Sequence, residues 1–214
     1  MQRFFPVLLG FLGLFLSQQT AARSAFGTDL GIGIKGGLNF NKVTGKGWRD
    51  VYHTDPHAGL FLHVNRKHIG LQIEGVWTQH RLTVDSSFEG LYSQYLQQGI
   101  DSLNAASFRF TTISLPILLN IKLTQFLWVQ AGPQFSANVS VTDKNQIVRS
   151  GQNIINAQDY SAVGGLWFQF GGKAPLLRVN AGIRYIYGLT NLNRLSMNPM
   201  WQNQQVQLHI GISY

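Results

Sequence analysis

The sequence predicts an all-β chain: an eight-stranded antiparallel transmembrane up-and-down β-barrel. Three observations carry this reading. The last strand alternates strictly, seven earlier segments share its period, and the connections between them alternate long and short. In Gln205 to Tyr214, the residues Val206, Leu208, Ile210, Ile212 and Tyr214 are large and apolar, while the odd positions are polar or glycine. A soluble sheet also shows this period on a half-buried strand. A chain that finishes on its most hydrophobic strand fits a membrane barrel better. There the last strand must pair with the first, so that no open edge faces lipid.

The start of the chain points to export. Arg3 forms a short positive region, Phe4 to Leu16 is apolar apart from Pro6 and glycines, and Ser17 to Ala22 is small and polar. This is the layout of a secretory signal peptide over residues 1–22, with Thr20 and Ala22 before the cut and Ala22/Ser24 as a second option. An uncleaved anchor is the competing reading. It is disfavoured because the apolar stretch is shorter than the roughly 20 residues a spanning helix needs. Residues 23–214 then form one barrel domain, an ordinary length for a single unit.

Composition agrees. Charged residues make up 12% of the chain, about half the roughly 25% usual in soluble domains. Beyond residue 22 no run is long and apolar enough for a membrane helix, as expected when only alternate strand positions face lipid. The absence of cysteine excludes a disulfide framework, a thiol nucleophile and cysteine metal ligation.

Eight segments read with period 2. In Leu30 to Phe40, the apolar face Leu30, Ile32, Ile34, Leu38, Phe40 opposes Gly31, Gly33, Lys35, Gly37, Asn39. In His57 to Arg66, Ala58, Leu60, Leu62 and Val64 oppose His57, Gly59, Phe61, His63 and Asn65. His68 to about Leu82 sets Ile69, Leu71, Ile73 and Trp77 against Gln72, Glu74 and Thr78. Phe108 to Lys122 sets Ile113, Leu115, Ile117, Leu119 and Ile121 against Thr112, Ser114, Pro116, Asn120 and Lys122. Phe126 to Val139 presents Leu127, Val129, Ala131, Phe135 and Val139. Tyr160 to Phe170 is less regular, with Leu166, Phe168 and Phe170 marking its apolar face. Leu176 to Leu189 places Leu177, Val179, Ala181, Ile183, Tyr185 and Tyr187 opposite Arg178, Asn180, Gly182 and Arg184. The terminal strand is the eighth.

Connections 41–56, 83–107, 140–159 and 190–203 are long and polar, whereas those near 65–68, 122–125 and 171–175 are short. Outer-membrane barrels have long external loops and short periplasmic turns, so this parity puts both termini in the periplasm. The apolar faces are expected to meet lipid. A lipocalin-like barrel would turn them inward. Against that, the polar faces are rich in glycine and small residues suited to a crowded lumen. Trp77, Tyr185, Tyr187 and Tyr214 also sit where interfacial girdles form.

Eight strands leave room only for side chains, which argues against a wide pore. The inward charges are Lys35, Glu74, Lys122, Arg178 and Arg184, joined by His57, His63 and His209. Glu74 is the one carboxylate of the expected strand interiors. A buried charge needs a partner, so it should pair with Arg184 or Arg178. A network that plugs and orders the barrel is the favoured role, ahead of a gated ion or proton path.

No catalytic site is evident. His209 and Ser213 share a face but lie roughly 13 Å apart along an extended strand. Asp50, His53, Asp55 and His57 cluster in and beside the first long loop and suit a divalent metal or a hydrolytic site; a solvated polar loop is the simpler account. Residues 145–158 carry only Arg149 as a charge and suit either an adhesive tip or a mobile loop. The net charge of +8 suits anionic headgroups or acidic partners. Its cations are scattered, so it is no nucleic-acid signature.

Four short motifs resemble one family. Gly33-Ile34-Lys35-Gly36-Gly37-Leu38-Asn39 resembles its opening G-x-K-x-G-x-N strand, and Ser114-Leu115-Pro116-Ile117 its Leu/Ile-Pro strand. Val129-Gln130-Ala131-Gly132-Pro133 and Ile183-Arg184-Tyr185-Ile186-Tyr187-Gly188-Leu189 resemble its AGP and RY-x-YGL strands. Together they resemble the PorT-like outer-membrane β-barrels common in Bacteroidetes, over essentially all of residues 23–214. The resemblance implies a non-enzymatic porin-family barrel of the cell envelope. It would be inserted by the barrel-assembly machinery, which reads the aromatic C-terminal strand. Some relatives assist protein secretion, so an envelope or secretion protein is the candidate partner beside outer-membrane lipid. A narrow channel for solutes or ions is the alternative, and a lipid-modifying enzyme a third reading. No cofactor, metal or catalytic residue comes with the family.

Overall fold

A computed structural model describes residues 28–83, 85, 107–143, 155–171, 177–194 and 200–214. Residues 1–22, expected from the sequence to be a signal peptide, and most of the 145–158 stretch lie outside the described residues. The strands are β1 (Thr28–Thr44), β2 (His53–Arg66), β3 (Ile69–Thr83), β4 (Ser107–Lys122), β5 (Leu127–Asp143), β6 (Gln158–Phe170), β7 (Arg178–Gly188) and β8 (Gln202–Ser213). Each pairs antiparallel with the next, and β8 returns to β1, so the sheet is a closed barrel of order β1 to β8. The chain end takes part in this seam: Ile32 and Tyr214 exchange backbone hydrogen bonds of 3.1 and 2.8 Å.

The exterior is apolar. Ile34, Leu60 and Ile210 are 60%, 62% and 65% exposed, values that place this face outside and rule out the inside-out soluble arrangement. On β3 the outward residues Ile69, Leu71, Ile73, Gly75 and Trp77 give way to Gln79 and Arg81; on β4 Ile113 to Ile121 gives way to Thr111 and Arg109. An apolar stretch of this length matches the 9–11 residues with which a tilted strand crosses a bilayer. Trp77, Phe135, Tyr160 and Tyr185 border the band toward the long loops. Stacked Phe126 and Phe170, 6.4 Å apart, border it at the short turns.

The strands run beyond their sequence-derived limits almost entirely at the long-loop end. β1 continues to Thr44, β2 begins at His53 and β5 reaches Asp143. Above the lipid band neither strand face needs to be apolar, so the period that reveals a strand disappears while the backbone ladder continues. The first connection is therefore residues 45–52. Asp55 and Asp159 belong to strands and are buried, so Glu74 is not the sole carboxylate of the strand interiors.

The seam depends on a glycine. A Cβ on Gly37 of β1 would stand 1.9 Å from the Leu208 carbonyl oxygen and 2.8 Å from the His209 Cα of β8. Only backbone fits there. Gly37→Ala is accordingly expected to open the β1–β8 pairing. The check is its heat-denaturation temperature in detergent, measured by gel mobility, which should fall well below that of a Gly75→Ala control; a Cβ on Gly75 meets nothing within 4 Å.

Candidate functional site

The lumen is filled around one carboxylate. Glu74 Oε2 accepts from Lys35 Nζ at 2.5 Å and from Arg184 Nη1 at 2.7 Å, while Oε1 accepts from Arg184 Nη2 at 2.7 Å and Gln72 Nε2 at 2.5 Å. Gln130 Oε1 accepts from Arg184 Nε at 3.0 Å and Nη2 at 2.6 Å, and its amide donates onward to Asn120 and Gln72. Asn120 extends the chain to Asn65. All these residues are buried. The Glu74 carboxylate is thus satisfied by a bidentate guanidinium fork, the strongest common geometry for such a pair. Two cations around one carboxylate leave an excess positive charge in the lumen, spread over amide dipoles.

Two of the cations singled out from the sequence lie elsewhere. Arg178 bonds Asp29 near the short-turn end, with His63 Nε2 also 3.7 Å from that carboxylate. Lys122 stands over the Trp128 ring at 5.4 Å. Both occupy the rim of the barrel, where their inward register brings them to water and to the chain ends rather than to Glu74. Trp128 belongs to a second filling layer, the buried cluster of Phe61, Trp128 and Trp167. Trp128 and Trp167 are 6.2 Å apart, and His63 packs edge-on to Trp167 at 5.3 Å. On the long-loop side of Arg184, Leu118, Val163 and Ile186 form a third, apolar layer.

The Asp/His group of the first loop does not converge. Asp50 bonds Lys42 at 2.6 Å, and His53 meets the Thr83 hydroxyl at 3.2 Å. Asp55 takes the place of a neighbouring strand: its carboxylate accepts from Asn41 Nδ2, the Arg81 backbone N–H and Arg81 Nε. It does so beyond the last β2–β3 pair, His57–Thr78, where the two strands separate. His57 instead points into the lumen, its ring 6.4 Å from that of His209. Ser213 accepts from Asn180 at 2.9 Å, so it and His209 serve different neighbours. Among the described residues no three His, Asp or Glu side chains gather around a metal-sized site.

The long-loop end holds a structure that periodicity does not reveal. Trp48 and Trp201 are buried and pack edge to face at 5.1 Å, and Trp201 Nε1 donates to the Lys46 carbonyl. Backbone bonds join Arg49 to Thr83, Gly47 to Asp85, Leu192 to Trp201, and Asn156 to Leu192. All four long connections contribute to this cap, which closes over Val43, Leu82, Phe110, Ile155 and Leu192. Between cap and strands remains a cavity of about 30 Å³ lined by Asn41, His80, Thr112, Asp159 and Asn203, among others. That volume holds about two waters. The available signal was two tryptophans in otherwise polar loops.

Residues 17–194 match the outer membrane protein beta-barrel domain family, and the chain belongs to it. It is an outer-membrane β-barrel protein. No curated protein sequence matches it. Similar solved structures include Ail, the attachment invasion locus protein of Yersinia pestis, in complex with the heparin analogue sucrose octasulfate. That chain is 12% identical with TM-score 0.43, and the match covers 87% of this chain and 99% of Ail. Neisserial surface protein A is 11% identical with TM-score 0.48, covering 87% and 97% respectively. The translocator domain of the autotransporter NalP from Neisseria meningitidis is 10% identical with TM-score 0.33, covering 98% and 96%.

Removing the carboxylate and removing one cation should differ sharply. Glu74→Gln leaves the buried Lys35 and Arg184 without their counter-charge, a change of about 3–5 kcal/mol for a broken buried pair. Lys35→Met leaves the Arg184 fork intact and relieves cation repulsion. Heat denaturation in detergent should show a large fall for Glu74→Gln and a small change for Lys35→Met. Equal effects, or an unchanged Glu74→Gln, would reject the network as a stabilising plug.

Proposed function

We propose that this chain is a PorT-like, non-enzymatic envelope barrel whose long-loop cap faces the cell exterior and whose termini and short turns face the periplasm. Its work is partner binding, as an accessory of an envelope or secretion assembly, and not conduction. The observation that carries this reading is the filled lumen: the Glu74 network, the Phe61–Trp128–Trp167 cluster and the loop cap lie in series along the barrel. A narrow channel would need all three to move. The interfaces left for function are the two ends and the lipid-facing wall.

The cap has the character of a binding platform. Its backbone bonds hold the described loop residues, among them Gly47, Arg49, Asp85, Asn156 and Leu192, in place in advance, which lowers the entropy lost on binding there. Val51 and Tyr52 are 53% and 46% exposed on it, and Lys42 lies over the Tyr52 ring at 5.0 Å. An exposed aromatic beside cations is a common anchor of interfaces. The outward apolar series of β8, Val206 to Tyr214, is the element we assign to recognition by the barrel-assembly machinery.

Cross-linking in native outer membranes, with partners identified by mass spectrometry, should recover a stoichiometric envelope protein. The Val51→Ser/Tyr52→Ala variant should lose it while remaining a heat-modifiable barrel. An epitope inserted after Ser150 should be reached by antibody on intact cells. In planar bilayers the purified barrel should show no discrete conductance; reproducible steps would replace this reading with the channel. Recovery of the barrel alone would remove the accessory role.

A further inference from the structure

The outward wall carries an unusual cross-strand pair just beyond its apolar band. Arg81 of β3 and Arg109 of β4 are directly opposed in the ladder, two outward steps past Trp77 and Ile113, which are themselves opposed. Four residues of strand at the tilt of a membrane barrel raise the pair roughly 10 Å above the last apolar side chains. That height clears the hydrocarbon core and reaches the outer edge of the headgroup layer, which is roughly 5–8 Å thick on each side. Opposed outward residues have Cβ atoms about 4.5–5.5 Å apart, and like charges there destabilise a sheet.

Arg81 is held in place. Its Nε donates to Asp55 Oδ1 at 2.7 Å and its Nη2 to the Thr54 carbonyl at 2.9 Å, while its side chain stays 48% exposed. Arg109 has no ion pair among the described residues, and it is only partly buried. One cation is therefore pre-positioned, and its neighbour has no counter-charge among the described residues, at a height where the surrounding solvent is a headgroup layer. We propose that Arg81 and Arg109 form a clamp for the phosphate of an outer-leaflet lipid. The planar guanidinium matches a phosphate in bidentate geometry, and a shared anion turns the like-charge repulsion into an attraction for the ligand. The lipid's acyl chains would then continue down the apolar wall past Ile113 and Trp77, which ties the headgroup site to the face that lipid already covers. The assignment rests on the orientation proposed above, which the Ser150 epitope tests separately.

The experiment titrates the refolded barrel, in uncharged detergent, with bisphosphorylated lipid A, with dephosphorylated lipid A of the same acyl composition, and with inorganic phosphate. Thermal unfolding and affinity are read for wild type, Arg109→Gln and Arg81→Lys/Arg109→Gln. Bisphosphorylated lipid A should raise the wild-type unfolding temperature most, and Arg109→Gln should weaken its affinity about tenfold, the loss expected for one charged hydrogen bond. Without lipid, Arg109→Gln should unfold no earlier than wild type, because it removes a repulsion and breaks no ion pair among the described residues. This reversal of rank separates a lost ligand contact from a damaged fold, even if the double variant refolds poorly. Equal responses to the two lipids, or an undiminished response in Arg109→Gln, would overturn the clamp. A full response to inorganic phosphate alone would make a soluble anion the ligand and overturn the lipid assignment.

Discussion

The pairing of β8 with β1 is the constraint on which the rest depends. Inside a bilayer no water is available to satisfy an open strand edge, so every ladder bond must close within the chain. Closure then dictates the other features. One face of each strand must be apolar because it meets lipid, and the other must be small or polar because it meets the opposite wall. The close approach at Gly37, where a side chain would collide with the Leu208 carbonyl, shows how little tolerance the seam leaves.

A barrel this narrow has to fill its interior, and the choice of filling decides what the protein can do. Buried ion pairs are not inherently more stable than apolar packing, since desolvation offsets much of their attraction. Here the carboxylate is surrounded by four donor contacts and the guanidinium by amide oxygens, so few of their polar groups are left without partners. Such a network is directional, and it ties β1, β3, β5 and β7 to one another across the lumen. Aromatic packing toward the short turns adds a layer that excludes water. The surfaces left open to other molecules are the two ends and the outer wall.

The strands outrun the membrane at one end, and that excess length supports the cap. Asp55 spans the gap where β2 and β3 part, accepting the Arg81 backbone N–H that a strand carbonyl would otherwise accept. The tryptophan pair gives the four connections a small core of their own, so the long loops are anchored at their bases. The same extension carries Arg81 and Arg109 above the apolar band. The proposed platform and the proposed headgroup clamp thus have a single structural origin.

Strand number, strand faces and loop parity were legible in the sequence because alternation is a local signal, written in successive residues. The interior candidates Lys35, Glu74 and Arg184 could be read from their positions on the polar face. Their grouping could not, since Glu74 meets Lys35 and Arg184 across separations of 39 and 110 residues set by the tilt and register of the closed sheet. The same registers sent Arg178 to Asp29 and Lys122 to Trp128. β2 begins early enough to make strand residues of His53 and Asp55, which the sequence had assigned to a loop, while His57 keeps the inward strand position read from its period. The Trp48–Trp201 cap left no periodic trace at all, because it is built from irregular backbone. By itself the sequence determined which residues face lipid and which face inward; only the tertiary structure decided which of them meet, because contact across a barrel depends on the geometry of closure and not on spacing along the chain.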